Sequence, residues 1–279
     1  MINRNLDFDG FAPFRMTVRY LDMTGEDIVT TDESHVHSEC EIYINVSGDV
    51  SFMVEHSIYP IYSGDVIITR PFEYHHCIYH SKGEHKHFWI LFQPGGNRRY
   101  LDLFFNRPAG VDNRLCLSPE DQKELFLLCN RILEQADNSL ECQISFWKLI
   151  ALLNKGVPDD SGNETFPDDV RAALRYISDH FTEPISMSSL AEIAHISVNT
   201  LERSFQRYLG MTPSSYLRKK RLSHALKLLA EGRSVTETAE NCGFSDYNNF
   251  IQLFKKSYGM TPLMYKKRVA ERIPKDPSV

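Results

Sequence analysis

The chain has 279 residues, of which 42% are hydrophobic, 24% are charged and 11% are aromatic. This composition excludes a disordered, collagen-like or coiled-coil chain, and the length predicts about two domains. No stretch approaches the roughly 18 apolar residues of a membrane span, and the first residues lack a secretion signal, so we expect a cytoplasmic protein. The six scattered cysteines form no CxxC pair, which predicts reduced thiols.

Charge is divided unequally along the chain. Residues 1–165 carry 14 Lys/Arg and 25 Asp/Glu, whereas residues 166–279 carry 17 and 12. The second half is therefore basic, although the net charge of the whole chain is −6. A basic half favours an anionic partner such as nucleic acid, while an ordinary basic surface would give the same count.

The first half is typical of an antiparallel β domain. Residues 16–95 contain short β-rich runs, such as 40–46 and 65–69, separated by Gly, Asp and Pro turns. This pattern predicts a sandwich or barrel within residues 1–115. Aromatic and proline residues without a regular period form an N-terminal arm. They are Phe8, Phe11, Pro13 and Phe14.

A histidine-glutamate pattern marks a candidate site in this domain. His35, His37 and Glu41 resemble the first cupin motif, and His75 after Gly64-Asp65 and Pro71 resembles the second. Alternate residues of a strand point the same way, so we expect these four side chains to enter the barrel together. They suit a transition metal, but they also suit hydrogen bonds to a ligand. The residues alone therefore leave a metal site and a metal-free ligand site open.

The period changes to that of helices after the β region. Leu125, Leu128 and Ile132 recur at three and four residues, and further apolar residues follow to 153. This spacing predicts a helical hairpin within residues 116–155. Residues 156–166 are polar and rich in Gly, Pro and Asp, which predicts a linker.

An internal repeat dominates residues 167–279. Gly210-Met-Thr-Pro213 recurs 49 residues later as Gly259-Met-Thr-Pro262. Each copy is typical of a helix-turn-helix unit, so we expect an all-helical domain. Predicted helices cover 187–194 and 198–209 in the first copy and 235–241 and 246–258 in the second, with 213–231 joining them.

The second helix of each copy has a polar face that suits DNA. Arg forms paired hydrogen bonds with guanine, and Asn or Gln does so with adenine, in a groove wide enough for a helix. A solvated polar face is the alternative. The predicted DNA-binding residues are Asn199, Glu202, Arg203, Gln206, Arg207, Tyr247, Asn248, Asn249, Gln252, Lys255 and Lys256.

Other side chains of these helices have different predicted partners. Apolar positions should face the core, and further basic residues should meet phosphates. The predicted inward residues are Leu201, Phe205, Tyr208, Phe250, Phe254 and Ser257. The predicted phosphate contacts are Arg207, Arg218, Lys219, Lys220, Arg221, Lys256, Lys266, Lys267 and Arg268.

Residues 170–268 resemble the two-motif DNA-binding domain of the AraC/XylS family of bacterial transcription regulators. Residues that carry the resemblance include Leu190-Ala191, Gly210, Pro213, Gly243-Phe244 and Gly259-Met-Thr-Pro262. Two positions depart from it, because Thr238 replaces an aliphatic residue and His195 replaces a common Gly. Both departures could loosen local packing.

The resemblance implies a homodimeric regulator with double-stranded DNA as a partner, and RNA polymerase too if it activates. Leu125, Leu128 and Ile132 would be the dimer contacts of the hairpin; the alternative is that this face packs only on its own barrel. The resemblance also implies that the barrel is an effector receptor that requires no cofactor and carries little metal. Residues 71–94 are similar to the arabinose-responsive founder of the family, which places His75, His87 and Trp89 at a sugar pocket. Trp89 could instead be core. The N-terminal arm could fold over the effector.

We therefore predict a multi-domain α+β protein. A cupin-like antiparallel barrel at 1–115 binds the effector at His35, His37, Glu41, His75, His87 and Trp89. The hairpin, linker and double helix-turn-helix domain follow. We expect an effector-responsive activator, with a sugar or related metabolite as effector. The alternative is a metal-dependent cupin enzyme fused to a DNA-binding domain, with metal at His35, His37, Glu41 and His75.

Overall fold

The computed structural model describes residues 2–8, 14–24, 37–93, 100–135, 139–159 and 167–272. The chain divides into two compact units, Met1–Phe166 and Pro167–Val279. The first contains two antiparallel sheets and a helical hairpin, and the second is helical. The predicted multi-domain α+β fold is thereby confirmed. Within the described residues, no helix is long and apolar enough to cross a membrane.

Two sheets make up most of the first unit. Its described strands are β1 (Ile2–Phe8), β2 (Phe14–Met23), β3 (Cys40–Ser47), β4 (Val50–Val54), β5 (Ser57–Ile61), β6 (Val66–Thr69), β7 (His75–Tyr79), β8 (His85–Phe92), β9 (Arg114–Cys116) and β10 (Val157–Pro158). The larger sheet has the order β1-β2-β8-β3-β6-β9-β10, and the smaller has the order β5-β4-β7. Neighbouring strands are antiparallel throughout.

The two faces of the larger sheet have different partners. On β3 and β8, Ile42, Ile44 and Ile90 share one buried cluster with residues of the helical hairpin. On the opposite face, Tyr43 belongs to a second cluster with Phe52 and other residues of the smaller sheet. Alternation along a strand explains this division, because successive side chains leave opposite faces. Odd-numbered residues of β3 and β8 therefore lie on the side of the smaller sheet.

The N-terminal segment is more regular than predicted. β1 pairs with β2 from Ile2–Tyr20 to Phe8–Phe14, whereas the sequence indicated an arm without regular structure. Phe11 and Pro13 lie outside the described residues.

The predicted hairpin is present, but its apolar face has a different partner. It consists of α2 (Pro119–Glu134) and α3 (Ser139–Leu153), and a short α1 (Asp102–Phe105) precedes it. Leu125, Leu128 and Ile132, predicted as dimer contacts, are at most 2% exposed and lie in the cluster with the larger sheet. That prediction is wrong, because helical periodicity identifies an apolar face but not what covers it.

The beginning of the predicted linker belongs to the first unit. Val157 and Pro158 pair with β9, and Arg114 forms an ion pair with Asp159 at 3.4 Å and another with Asp65 at 2.9 Å. Val157 and Pro158 carry no apolar pattern that would have predicted a strand. Residues 160–166 lie outside the described residues.

The second unit follows the predicted repeat closely. Its described helices are α4 (Asp168–His180), α5 (Met187–Ile193), α6 (Val198–Leu209), α7 (Pro213–Ala230), α8 (Val235–Asn241), α9 (Tyr247–Tyr258) and α10 (Pro262–Arg272). Local signals explain the accuracy. Ser234 and Glu237 form a capping box, and Gly210 and Gly259 end α6 and α9 in the left-handed conformation.

The two departures from the family pattern behave differently. Thr238 is fully buried, and its hydroxyl donates a hydrogen bond to the Ser234 carbonyl at 2.7 Å, so its polar group is satisfied. His195 has a φ of 57° in the turn between α5 and α6. A glycine would adopt this conformation without strain, which explains why glycine is common at this position of the family pattern.

Candidate functional site

The outward faces of α6 and α9 form the candidate DNA interface. All eleven residues predicted to contact DNA are exposed, from Asn199 to Arg207 on α6 and from Tyr247 to Lys256 on α9. The opposite faces are fixed in the core, because Leu201, Phe205, Phe250 and Phe254 are fully buried. Each helix therefore presents its polar face to solvent, as reading a DNA groove requires.

Three predictions for the helical unit are wrong. Ser257 is exposed instead of facing the core. Lys220, expected to meet phosphate, is 8% exposed and lies 5.6 Å from the Phe181 ring. Arg221, also expected there, donates hydrogen bonds of 2.7 Å to the carbonyls of Phe181 and Glu183. A count of basic residues cannot distinguish these inward-facing side chains from the exposed ones.

A second site lies between the two sheets of the first unit. Glu41 on β3 accepts hydrogen bonds from Nε2 of His37 at 2.9 Å and from Nε2 of His75 at 3.2 Å. Glu41 and His75 are almost fully buried, and His37 is partly buried. The structure therefore brings together three of the four residues of the predicted histidine-glutamate site. The fourth, His35, lies outside the described residues.

The charges of this group support each other. Burial alone would raise the pKa of Glu41, but the charge of His75 and the hydrogen bonds from both histidines hold that pKa well below its usual range. Burial opposes charge on His75 as well, yet the neighbouring Glu41 carboxylate raises the pKa of His75 above its ordinary value. Without another cation, the buried carboxylate is stabilised by histidine protons.

A buried ion pair orients the His75 ring through its Nδ1 atom, on the side of the ring away from Glu41. Arg107 donates hydrogen bonds of 2.6 and 2.9 Å to the Glu73 carboxylate, and the Glu73 carbonyl lies 2.8 Å from Nδ1 of His75. Burial would raise the pKa of Glu73, but the hydrogen bonds and charge of Arg107 lower it below its usual value. This pair fixes the turn before β7 and thereby the direction of the His75 ring.

His87 and Trp89 occupy the same face of β8. His87 stacks on Tyr43 with ring centroids 4.6 Å apart, and burial lowers the pKa of His87 to about 4, so this imidazole is neutral near pH 7. Trp89 is partly exposed and does not belong to the core of its neighbours Phe88 and Ile90. Arg19 on β2 lies 4.8 Å from the Trp89 ring. These positions favour a pocket over the core alternative for Trp89.

Two polar residues near His87 and Trp89 were not predicted from the sequence. Arg19 is one, and Asn45 is the other. Asn45 is 1% exposed and lies directly opposite His87 across β3 and β8. Among the described residues, neither Nδ2 nor Oδ1 of Asn45 has a hydrogen-bond partner, and Nδ1 of His87 has none either. Buried polar atoms without partners are costly, so this pair is suited to a polar ligand. The alternation of Glu41, Tyr43 and Asn45 could have indicated it.

Two family models match the chain, one in each compact unit. The AraC-like ligand binding domain matches residues 25–150, and a helix-turn-helix domain matches residues 190–268. The chain belongs to the AraC family of transcription regulators. This membership confirms the predicted resemblance and favours a regulator over the enzyme alternative.

Two curated relatives are similar to part of the chain. The HTH-type transcriptional activator RhaS of Enterobacter sp. (strain 638) is 31% identical over 137 residues, covering 47% of this chain and 49% of that protein. RhaS of Escherichia coli (strain SE11) is 34% identical over 121 residues, 43% of each chain. The match therefore spans less than half the length of these relatives.

One solved structure shares a similar level of identity with the chain. The probable AraC family transcriptional regulator from Rhodopseudomonas palustris CGA009 is 30% identical, with 37% of this chain and 98% of that chain covered and a TM-score of 0.35.

Proposed function

We propose that this AraC family member is a sequence-specific DNA-binding transcription activator controlled by a small molecule. The duplicated helix-turn-helix unit, with two polar helix faces held outward by buried cores, carries the proposal. Both RhaS relatives are named transcriptional activators, which supports activation and hence RNA polymerase as a partner. Such a regulator would act in the cytoplasm, where bacterial DNA lies.

One chain should read two neighbouring segments of the major groove. The continuous helix α7 joins the two helix-turn-helix copies, and one side of it is buried, including Leu217, Leu222 and Leu226. We therefore expect contacts about one helical turn apart, roughly 10 bp, on one face of the duplex. Selection of bound sequences from a random library, followed by footprinting of the purified chain, tests this. Protection of a single groove segment per chain would contradict the proposal.

Two substitutions distinguish base reading from phosphate binding. Arg203→Ala should cost about 1–3 kcal/mol on the selected sequence and relax the preference at one base pair. Lys256→Ala should weaken binding to all sequences alike and reduce the salt dependence. Affinities for a set of operator variants at several salt concentrations measure both effects. Unchanged relative affinities in the Arg203→Ala protein would exclude its assigned role.

For the effector we propose a neutral hydroxyl-bearing molecule, such as a sugar. Asn45 and neutral His87 together offer a hydrogen-bond donor and acceptors, which match hydroxyl groups. The partly exposed Trp89 ring offers a flat apolar surface for a sugar ring. His37, Glu41 and His75 lie on the same side of the larger sheet and would complete the pocket.

A screen of sugars and related metabolites tests the effector class. A molecule that binds the native protein should raise its melting temperature without being consumed. Asn45→Ala should lose this shift, whereas Asn130→Ala, the same change on an exposed residue of α2, should keep it. A shift that survives Asn45→Ala would place the effector elsewhere. Turnover of the molecule would revive the enzyme alternative.

We propose further that the protein is a homodimer formed through the outer side of the hairpin. Leu127 and Leu140 are 50% and 63% exposed, and Ile144 and Trp147 are also exposed. These residues replace the buried ones predicted from the sequence. Sedimentation of the purified chain tests the dimer, and Leu140→Glu should produce monomers. A monomeric native protein would contradict the proposal.

A further inference from the structure

We propose that a groove between α1 and α3 binds a small organic cation with a methylated nitrogen. The groove has a volume of about 370 Å³ and is lined by Tyr100, Asp102, Trp147, Ile150, Ala151 and Asn154. This volume lies within the roughly 300–1,000 Å³ of small-molecule sites. The groove shares no lining residue with the site between the two sheets. Of the residues in the proposed dimer surface, only Trp147 borders it.

Two aromatic rings form a corner of the groove. The rings of Tyr100 and Trp147 have centroids 6.1 Å apart and planes inclined at 73°. The two residues are 59% and 38% exposed, so a solute can reach them. A cation within about 6 Å of a ring centroid is attracted by the π electrons, and methylated ammonium groups are typical ligands of such sets of rings. A methylated nitrogen in this corner would contact both rings.

The polar atoms of the groove favour a cation over an anion. Asp102 supplies a carboxylate that, within the described part of the chain, makes no ion pair or side-chain hydrogen bond. Nδ2 of Asn154 donates a hydrogen bond of 2.8 Å to the Ile150 carbonyl, which leaves the amide oxygen as an acceptor for a ligand. None of the described lining residues is basic. The groove therefore offers negative charge and acceptor atoms to a positively charged ligand.

The walls of the groove are held in place by core side chains. Leu101 and Phe104 lie on either side of Asp102 and belong to the same buried cluster as Phe146 and Ile150 of α3. Helices α1 and α3 are therefore packed on one core. A ligand would enter a preformed groove, so little affinity would be lost to ordering of the protein. The side chain of Ile150 also gives the groove an apolar surface that suits methyl groups.

Choline and its neutral analogue 3,3-dimethylbutan-1-ol test the class of ligand, because the alcohol has carbon in place of the charged nitrogen. The chain has two tryptophans, so its ¹⁵N NMR spectrum contains two indole N–H signals, which a Trp89→Phe variant assigns. Choline should shift the Trp147 signal with a dissociation constant on the order of 1 mM, and the alcohol should bind about 10-fold more weakly. The Trp89 ring already faces Arg19 at 4.8 Å, so its signal should stay unchanged.

Sodium chloride keeps the ionic strength equal in every titration, so that general attraction to acidic residues does not change. The proposal would be overturned if the Trp147 signal did not move at about 10 mM choline. Equal binding of choline and the alcohol would overturn it too, because the rings and the carboxylate would then not recognise charge. A shift of the Trp89 signal alone would place the cation between the two sheets and refute the groove.

Substitution of the carboxylate gives a second test. Asp102→Asn keeps the side-chain shape and should weaken choline binding about 3-fold or more. Asp179→Asn, the same change on an exposed residue of α4, should bind choline as the native chain does. Tyr100→Leu removes one ring but keeps an apolar side chain, and it should weaken binding further. Asp102 and Tyr100 are exposed, so both variants should melt as the native chain does.

Native affinity for choline in both the Asp102→Asn and Tyr100→Leu proteins would overturn the proposal. The inference goes beyond the proposed function and does not depend on it, because choline binding is measured without DNA or effector. Its failure would therefore leave the DNA and effector proposals untouched.

Discussion

Arg221 and Arg207 were both predicted from the sequence to contact phosphate, but the structure predicts different effects when they are substituted. Arg221 on α7 donates hydrogen bonds to the carbonyls of Phe181 and Glu183, and its guanidinium lies 6.0 Å from the Phe244 ring. It thus joins the turn after α4 to the turn between α8 and α9. Arg207 is exposed on α6. We expect Arg221→Ala to destabilise the helical unit and Arg207→Ala to weaken DNA binding alone.

The magnitude follows from the groups that lose their partner. Arg221→Ala removes two charge-assisted hydrogen bonds; the carbonyl of Phe181 is partly buried, whereas the bond to Glu183 is exposed. An unsatisfied buried acceptor costs about 1–3 kcal/mol, and an exposed one is satisfied by water. We therefore expect a loss of about 2 kcal/mol, or roughly 8 °C in melting temperature for a unit of this size. Arg207→Ala should change stability by less than about 0.5 kcal/mol.

Two assays on the same proteins separate the effects. Circular dichroism at 222 nm follows the melting of the helices, and DNA affinity against salt concentration counts the phosphate contacts. Arg207→Ala should reduce the salt slope by about 0.9 if it neutralises one phosphate. The reasoning would be refuted if Arg221→Ala melted like the native chain and reduced the salt slope instead. That result would indicate that Arg221 contacts a DNA phosphate, as the sequence predicted.

Two further substitutions test the second unit. Burial lowers the pKa of Lys220 to about 7, so between pH 7 and 10 the unfolded chain holds a proton that the folded chain has released, and stability should rise with pH. Lys220→Met should therefore stabilise the protein by roughly 4 kcal/mol more at pH 6 than at pH 10, as measured by urea unfolding. An effect of the substitution that did not change with pH would contradict this. His195→Gly should relieve the left-handed backbone at φ 57° and raise stability by about 0.5 kcal/mol, since part of the gain is lost to the greater freedom of the unfolded chain; a lower urea midpoint would show that the histidine side chain contributes more than its backbone costs.

The sequence predicted the second unit better than the first for a physical reason. Helix ends depend on residues within a few positions, such as Ser234 with Glu237, and the repeat presents each signal twice. Strand partners instead come from distant parts of the chain. β8 pairs with both β2 and β3, and the alternation within one strand does not reveal these neighbours. The short strand at Val157–Pro158 had no local signal at all.

The candidate site between the sheets was predicted only in part, and the missing residues show why. Glu41 and His75 carry a recognisable spacing, and the structure confirms that they meet. Asn45 and Arg19 become notable only through their positions opposite His87 and Trp89. A buried amide without a partner cannot be detected before the surrounding strands are placed. Sequence spacing therefore finds residues of unusual chemistry, whereas packing identifies ordinary residues in unusual surroundings.

Effector control can reach DNA only through a difference in effector affinity between DNA-competent and incompetent forms, and this coupling is reciprocal, typically about 1–3 kcal/mol. The candidate effector residues all lie in Met1–Phe166, whereas the helix-turn-helix units lie in Pro167–Val279. A fragment of residues 167–279 should therefore bind the selected DNA without responding to the effector, and the full chain should respond. Titration of both proteins against the same duplex, with and without the molecule found in the thermal screen, measures this. An effector-dependent affinity in the fragment would mean that the sensing residues lie beside the DNA-binding helices and not between the two sheets.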